Sequence, residues 1–151
     1  MRKQSRDLLV LIAEDARDLP APRVQLAGDV GFDLYVARET VIAPGAHLPP
    51  TDVYTGLRLK LPTGTWGLIM PRSSTHSKFP TLQLCSAPID TGFSGPFGPR
   101  FRNVGTEPVV IPRGFRLAQL VILPAVVPRV RVVKALPATI RGSKKYGSTG
   151  T

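Results

Sequence analysis

Apolar residues fall along this chain in short runs, at residues 8–13, 32–36, 57–61, 66–70, 82–89, 108–111, 117–122 and 129–135. Many of these runs alternate with polar positions or are rich in β-branched residues, the pattern of strands whose side chains point to opposite faces in turn. Turn-forming residues fill the gaps: Ala43-Pro44-Gly45, Pro49-Pro50-Thr51, Pro62-Thr63-Gly64, Pro112-Arg113-Gly114 and the Gly/Pro cluster from Gly92 to Pro99. A helical period shows at most in a short piece around residues 74–79. The pattern predicts an all-β fold, a barrel or jelly-roll-like sandwich. The segment from Thr81 to Asn103 reads as two strands around Asp90-Thr91-Gly92, a hairpin with a carboxylate at its tip. Pro96 and Pro99 make the second strand an edge or a bulged, open arm.

Composition narrows the picture. At 151 residues the chain is expected to form one domain, with sixteen Pro and fourteen Gly spread along it instead of gathered in a linker. Twenty Lys and Arg against ten Asp and Glu give a net charge of +10, which attracts phosphates without distinguishing a nucleotide from a nucleic acid. Aromatic residues are too sparse for a base-stacking platform, so nucleic acid is expected only as a weak electrostatic partner. The single cysteine, Cys85, cannot form an intramolecular disulfide, and its apolar surroundings in TLQLCSAPI suggest a buried thiol. The run LLVLIA at 8–13 is short for a signal sequence and is followed at once by Glu14 and Asp15. A soluble, cytoplasmic protein without a membrane partner is the expectation, in the cytoplasm of an infected host cell if the source is viral.

Candidate chemistry sits at the ends of the predicted strands. Asp90 follows apolar Ile89 at a turn, with Gly92 and Gly95 leaving room for a ligand; it either acts as a general base on water or makes the turn. Arg72, Ser73 and Ser74 emerge after the strand Trp66 to Met70, a guanidinium and two hydroxyls suited to phosphate oxygens. Asp33, in GDVGFDLYV, is either an edge charge or a magnesium partner acting through water. Arg116 and Gln119 lie in RGFRLAQLVIL, where strict alternation puts them on opposite faces unless a bulge intervenes. Just before the last residue, Thr151, stands RGSKKYGSTG, residues 141–150, where cations, three glycines and one aromatic, Tyr146, follow one another. So polar a segment is expected to be mobile when free, either a solubilising tail or a lid ordered by a phosphate ligand.

Taken in order, GFDL at 31–34, PRSS at 71–74, PID at 88–90 with Phe93 and Gly95, RGFRLAQL at 113–120 and RGSKKYGSTG at 141–150 resemble the five motifs of the trimeric deoxyuridine triphosphatases. The resemblance runs from about Ala27 to Gly150. It implies a jelly-roll-like β domain over residues 1–140, a flexible arm over 141–151, and a homotrimer with sites at subunit interfaces. It also implies Mg2+-dependent hydrolysis of dUTP to dUMP and pyrophosphate. Carried onto matching positions, Asp90 would activate the water, and backbone groups at Ala87 and Gly98 would read the base. Phe93 would pack on the deoxyribose. Arg72, Ser73 and Ser74 would contact the phosphates, with Arg116 and Gln119 in support, and Asp33 would help hold the metal through water. From the tail, Arg141 would grip the terminal phosphate, Tyr146 would stack on the base, and Gly147, Ser148 and Thr149 would add donors.

The chain departs from the family pattern in places. Phe93 stands for the usual Tyr, Ala87 and Pro88 for Gly and Val, and Lys144 and Lys145 for tail glycines. Two alternatives stay open: a diphosphatase for dCTP or a modified deoxypyrimidine triphosphate, and a non-catalytic nucleic-acid or regulatory binding protein on the same scaffold.

Overall fold

The computed structural model describes residues 6–138, so the tail residues Arg141, Tyr146, Gly147, Ser148 and Thr149 lie outside the described part of the chain. The strands are β1 (Leu9–Ile12), β2 (Gly31–Tyr35), β3 (Thr40–Ile42), β4 (Thr51–Asp52), β5 (Leu57–Lys60), β6 (Thr65–Pro71), β7 (Leu82–Leu84), β8 (Pro96–Phe97), β9 (Arg100–Asn103), β10 (Val109–Ile111) and β11 (Arg116–Pro124). One short helix, α1 (Ser73–Lys78), falls where a helical piece is expected. The strands form four small antiparallel sheets, ordered β1-β5-β8, β10-β3, β2-β11-β6 and β4-β9-β7. This is the jelly-roll-like β fold that the pattern predicts.

Alternation explains the packing. In β5, Leu57 and Leu59 are buried while Arg58 and Lys60 face outward. One cluster gathers Val36, Ile42, Val53, Leu82, Phe101, Ile111 and Leu117; a second gathers Leu34, Leu57, Leu59, Ile69, Ala118 and Leu120. The long strand β11 feeds both. It can do so because its register against β2 shifts between Arg116 and Ala118, so that consecutive residues Leu117 and Ala118 are both fully buried. The buried Thr75 hydroxyl of α1 donates to the Leu117 carbonyl at 2.7 Å, giving the bulged residue a partner that the ladder withholds.

Two expectations change. The apolar run at 129–135 forms no strand: Val130 and Val132 are 87% and 94% exposed, and no neighbouring strand offers them a ladder. Cys85 is half-buried and lines a cavity instead of the core: its N–H still donates to the Arg100 carbonyl of β9 at 2.8 Å, at the end of the pairing where the two arms begin to part. The helices of the described residues are all too short to cross a membrane.

Candidate active site

The segment between β7 and β9 is held open by its prolines. Leu82, Gln83 and Leu84 pair with Asn103, Arg102 and Phe101, but pairing inside the hairpin then gives way. Pro88, Pro96 and Pro99 carry no N–H donor, so the two arms cannot zip together through those positions. Each arm finds another partner. Ile89 exchanges both backbone hydrogen bonds with Gly67 of β6, at 2.8 and 2.9 Å, and the Ser86 hydroxyl donates to the Ile69 carbonyl at 3.0 Å. On the other side β8 pairs with β5, the Val53 N–H donates to the Pro99 carbonyl at 2.9 Å, and the Thr55 hydroxyl donates to the Phe97 carbonyl at 2.5 Å.

Between the arms lies a cavity of about 460 Å3. Asp90, Phe93, Ala87 and Gly98 line it, with Leu84, Cys85 and Ile69. Gly98 has to be glycine: a β-carbon there would sit 2.1 Å from the Val53 carbonyl oxygen. Phe93, 43% exposed, lays its ring over Gly95. Asp52 and Arg100 close the rim with an ion pair at 2.7 Å. The surroundings are apolar with backbone groups between, which suits a flat heterocycle and a sugar.

A second cavity, about 520 Å3, opens at one end of the β2-β11-β6 sheet. It is lined by Asp33, Arg72, Ser73, Arg116 and Gln119, five residues that the sequence singles out, together with Asp29 and others. The β11 bulge brings Arg116 and Gln119 to the same side, resolving the conflict that strict alternation posed. Gln119 lies opposite Asp33 in the ladder and folds over Gly31, whose hypothetical β-carbon would sit 2.0 Å from Gln119 Oε1. Its amide donates to the Pro71 carbonyl at 3.4 Å. Ser74 lies on the exposed face of α1 and lines neither cavity.

Asp33 is 2% exposed and ion-paired on both oxygens, Oδ1 with Arg72 and Oδ2 with Arg116 at 3.3 Å. It is not an edge charge; it anchors two guanidiniums side by side. A buried carboxylate that lost both partners would cost about 3–5 kcal/mol, so the trio is fixed as a unit. Burial, and next the charge of Arg116, lower the Arg72 pKa below the ordinary arginine value, while Asp29 opposes the shift. Arg72 stays charged at neutral pH even so; Asp33 and Asp29 match the two guanidinium charges on this wall, and the guanidinium N–H groups that Asp33 leaves unused are the donors a phosphate can take.

Asp29 and Thr75 escape inspection of the sequence. Asp29 accepts a hydrogen bond from the Leu26 N–H at 3.0 Å and thereby shapes the loop that walls the second cavity. The Asp29-Val30-Gly31 spacing to Asp33 is a visible cue; nothing local marks Thr75, whose partner is 42 residues away.

A jelly-roll-like β fold with an apolar, backbone-lined cavity and a separate cavity lined by Arg72, Arg116, Ser73 and Gln119 has the donors and the apolar surface that a nucleotide needs. The dUTPase family model matches residues 17–150, and the chain belongs to that family. It is 39% identical over 137 residues to the deoxyuridine 5'-triphosphate nucleotidohydrolase of Corynebacterium glutamicum, covering 89% of each chain. It is 36% identical over 156 residues to the enzyme of that name from Corynebacterium jeikeium, covering 99% of this chain and 98% of the other. Among solved structures, a mutant dUTPase of Staphylococcus bacteriophage 80alpha with dUpNHpp superposes with a TM-score of 0.82 at 26% identity, covering 97% of this chain and 100% of that one. A mutant dUTPase from phage phi11 of S. aureus, described with a coordinated structural Mg(II) ion, gives 0.76 at 25% identity, over 87% of this chain and 99% of that one.

Proposed function

We propose that this protein hydrolyses dUTP to dUMP and pyrophosphate with a site made of both cavities, the first taking uracil and deoxyribose and the second taking the triphosphate. The observation that carries this reading is the placement of Asp90 and Phe93 in the apolar cavity and of Arg72, Ser73, Arg116 and Gln119 in the cationic one. In this reading Asp90 accepts a proton from water as the water oxygen bonds to the α-phosphorus. The bond from that phosphorus to the bridging oxygen breaks, and pyrophosphate leaves. Arg72 and Arg116, pre-set by Asp33, hold the phosphate oxygens and balance the charge that develops on the leaving group. Gln119, fixed over Gly31, hydrogen-bonds near the reacting phosphate.

The two cavities share no lining residue within one chain. We propose that a homotrimer unites them, the first cavity of one subunit meeting the second of its neighbour. The exposed valines at 126, 127, 130 and 132 support assembly, since apolar residues so fully solvated in an extended segment gain from a partner surface. The segment from Arg141 to Thr149 then closes over the nucleotide, with Arg141 on the terminal phosphate and Tyr146 on the base. In this reading the reaction takes place in the cytoplasm, or in the cytoplasm of an infected host cell if the source is viral.

The residues fit an Mg2+ ion that arrives with the triphosphate. Two carboxylates, Asp29 and Asp33, line the cationic cavity, and no cluster of three His, Cys, Asp or Glu able to hold a metal occurs among the described residues. Such an ion would keep most of its waters and take its remaining ligands from the phosphates, and Asp29 and Asp33 would help hold it through water. When bound, it neutralises phosphate charge.

The test is pyrophosphate release from dUTP, dCTP, dTTP and UTP compared side by side, with wild-type protein and Asp90→Asn. Preference for dUTP and a loss of about 10²–10⁴-fold in kcat for Asp90→Asn are expected. Equal turnover of dCTP, or an unimpaired Asp90→Asn, would remove this reading.

A further inference from the structure

We propose that Thr91 is a positioning residue for Asp90, its hydroxyl fixing the direction in which the carboxylate meets the attacking water. The proposal rests on the reading of Asp90 as the general base. Asp90 stands near the tip of an open arm, where a carboxylate would ordinarily share the mobility of the loop. Here both of its neighbours are tied to one strand. On the N-terminal side Ile89 exchanges two backbone hydrogen bonds with Gly67 of β6. On the C-terminal side the Thr91 hydroxyl donates to the Thr65 carbonyl at the start of the same strand, through a short contact. The acceptor is itself braced, because the Thr65 hydroxyl donates to the Pro62 carbonyl at 2.7 Å.

The two ties differ in what they require of the sequence. The Ile89 pair is made by backbone atoms and survives any side chain that tolerates the strand. The Thr91 tie needs a hydroxyl. The turn runs through it: the Phe93 N–H donates to the Asp90 carbonyl at 3.0 Å, which makes Thr91 and Gly92 the central residues, so Thr91 is the anchored residue of the turn that leads to Phe93. Without that anchor, Asp90 pivots about Ile89, and an error of about 1 Å in a reacting group can cost of order 10²-fold in rate. Apart from Phe93, the contacts that set nucleotide affinity come from the cavity walls and the arginines, which Thr91 does not hold, so the larger loss falls on kcat and KM moves little.

The experiment compares Thr91→Val, which keeps the shape and removes the donor, with Thr91→Ser, which keeps the donor, using full-length protein, dUTP and Mg2+. Thr91→Val is expected to lower kcat by about 10- to 100-fold with KM within about twofold of wild type and the melting temperature nearly unchanged. Thr91→Ser is expected to restore most of kcat. Wild-type kcat in Thr91→Val overturns the proposal, as does a Ser variant as impaired as the Val variant, which would put the effect in the methyl group. Asp90→Asn, assayed alongside, separates the two levels: if it turns over dUTP as wild type does, the reading of Asp90 fails and the proposal falls with it. If Asp90→Asn is inactive while Thr91→Val is unimpaired, the positioning role alone fails.

Discussion

The two cavities of this protein are built by opposite means. The apolar one is made by withholding hydrogen-bond donors: Pro88, Pro96 and Pro99 prevent the arms of a hairpin from pairing, and the space between them becomes the cavity. The cationic one is made by supplying charge and irregularity, a buried Asp33 gripping two arginines and a bulge in β11 that turns Arg116 and Gln119 the same way. If the two cavities take the nucleotide as proposed, specificity on the first side rests on backbone spacing, and affinity on the second on a charge cluster. Substitutions in the two places should have separable consequences.

The largest difference is expected from Gly98→Ala. Its new methyl group meets the Val53 carbonyl at a distance that no packing tolerates, so the return arm must shift. We expect a fall of about 10- to 100-fold in kcat/KM for dUTP, with a narrowed ratio of dUTP to dCTP turnover in a two-substrate assay. An unchanged ratio would mean that the base is not read across this arm. A smaller and different effect is expected from Thr75→Val on the cationic side. Losing the donor leaves the Leu117 carbonyl buried and unsatisfied, which should lower stability by about 1–3 kcal/mol in denaturant unfolding. The ratio of dUTP to dCTP turnover should stay as in wild type. A change in that ratio would show that the two sides are not independent.

Much of this molecule was legible in its sequence, for physical reasons that vary by element. Leu57 to Lys60 announces its strand because one face meets the core and alternation follows. The open hairpin was readable because proline has one local consequence, the missing donor. The pairing of Arg116 with Gln119 was not, since a bulge depends on the Leu117 carbonyl finding Thr75, a partner distant in sequence. Asp33 as an anchor for arginines was hidden for the same reason: its partners come from β11 and from the end of β6. Cys85 misled because an apolar run describes composition, not which side of a strand end faces open space. The valines at 130 and 132 read as a strand, but a strand needs an edge to pair with, and none of the described strands pairs with them.

The central claim is that the two cavities are halves of one site contributed by different copies of the chain. Mixing tests it most directly. Asp90→Asn disables the apolar half and Arg72→Gln the cationic half, and each variant alone should be nearly inactive on dUTP. When equal amounts are unfolded and refolded together, random assembly places an intact half beside an intact half in about a quarter of the sites. The account predicts recovery of about a quarter of wild-type turnover in the mixture, whereas a mixture no more active than either variant alone would contradict it.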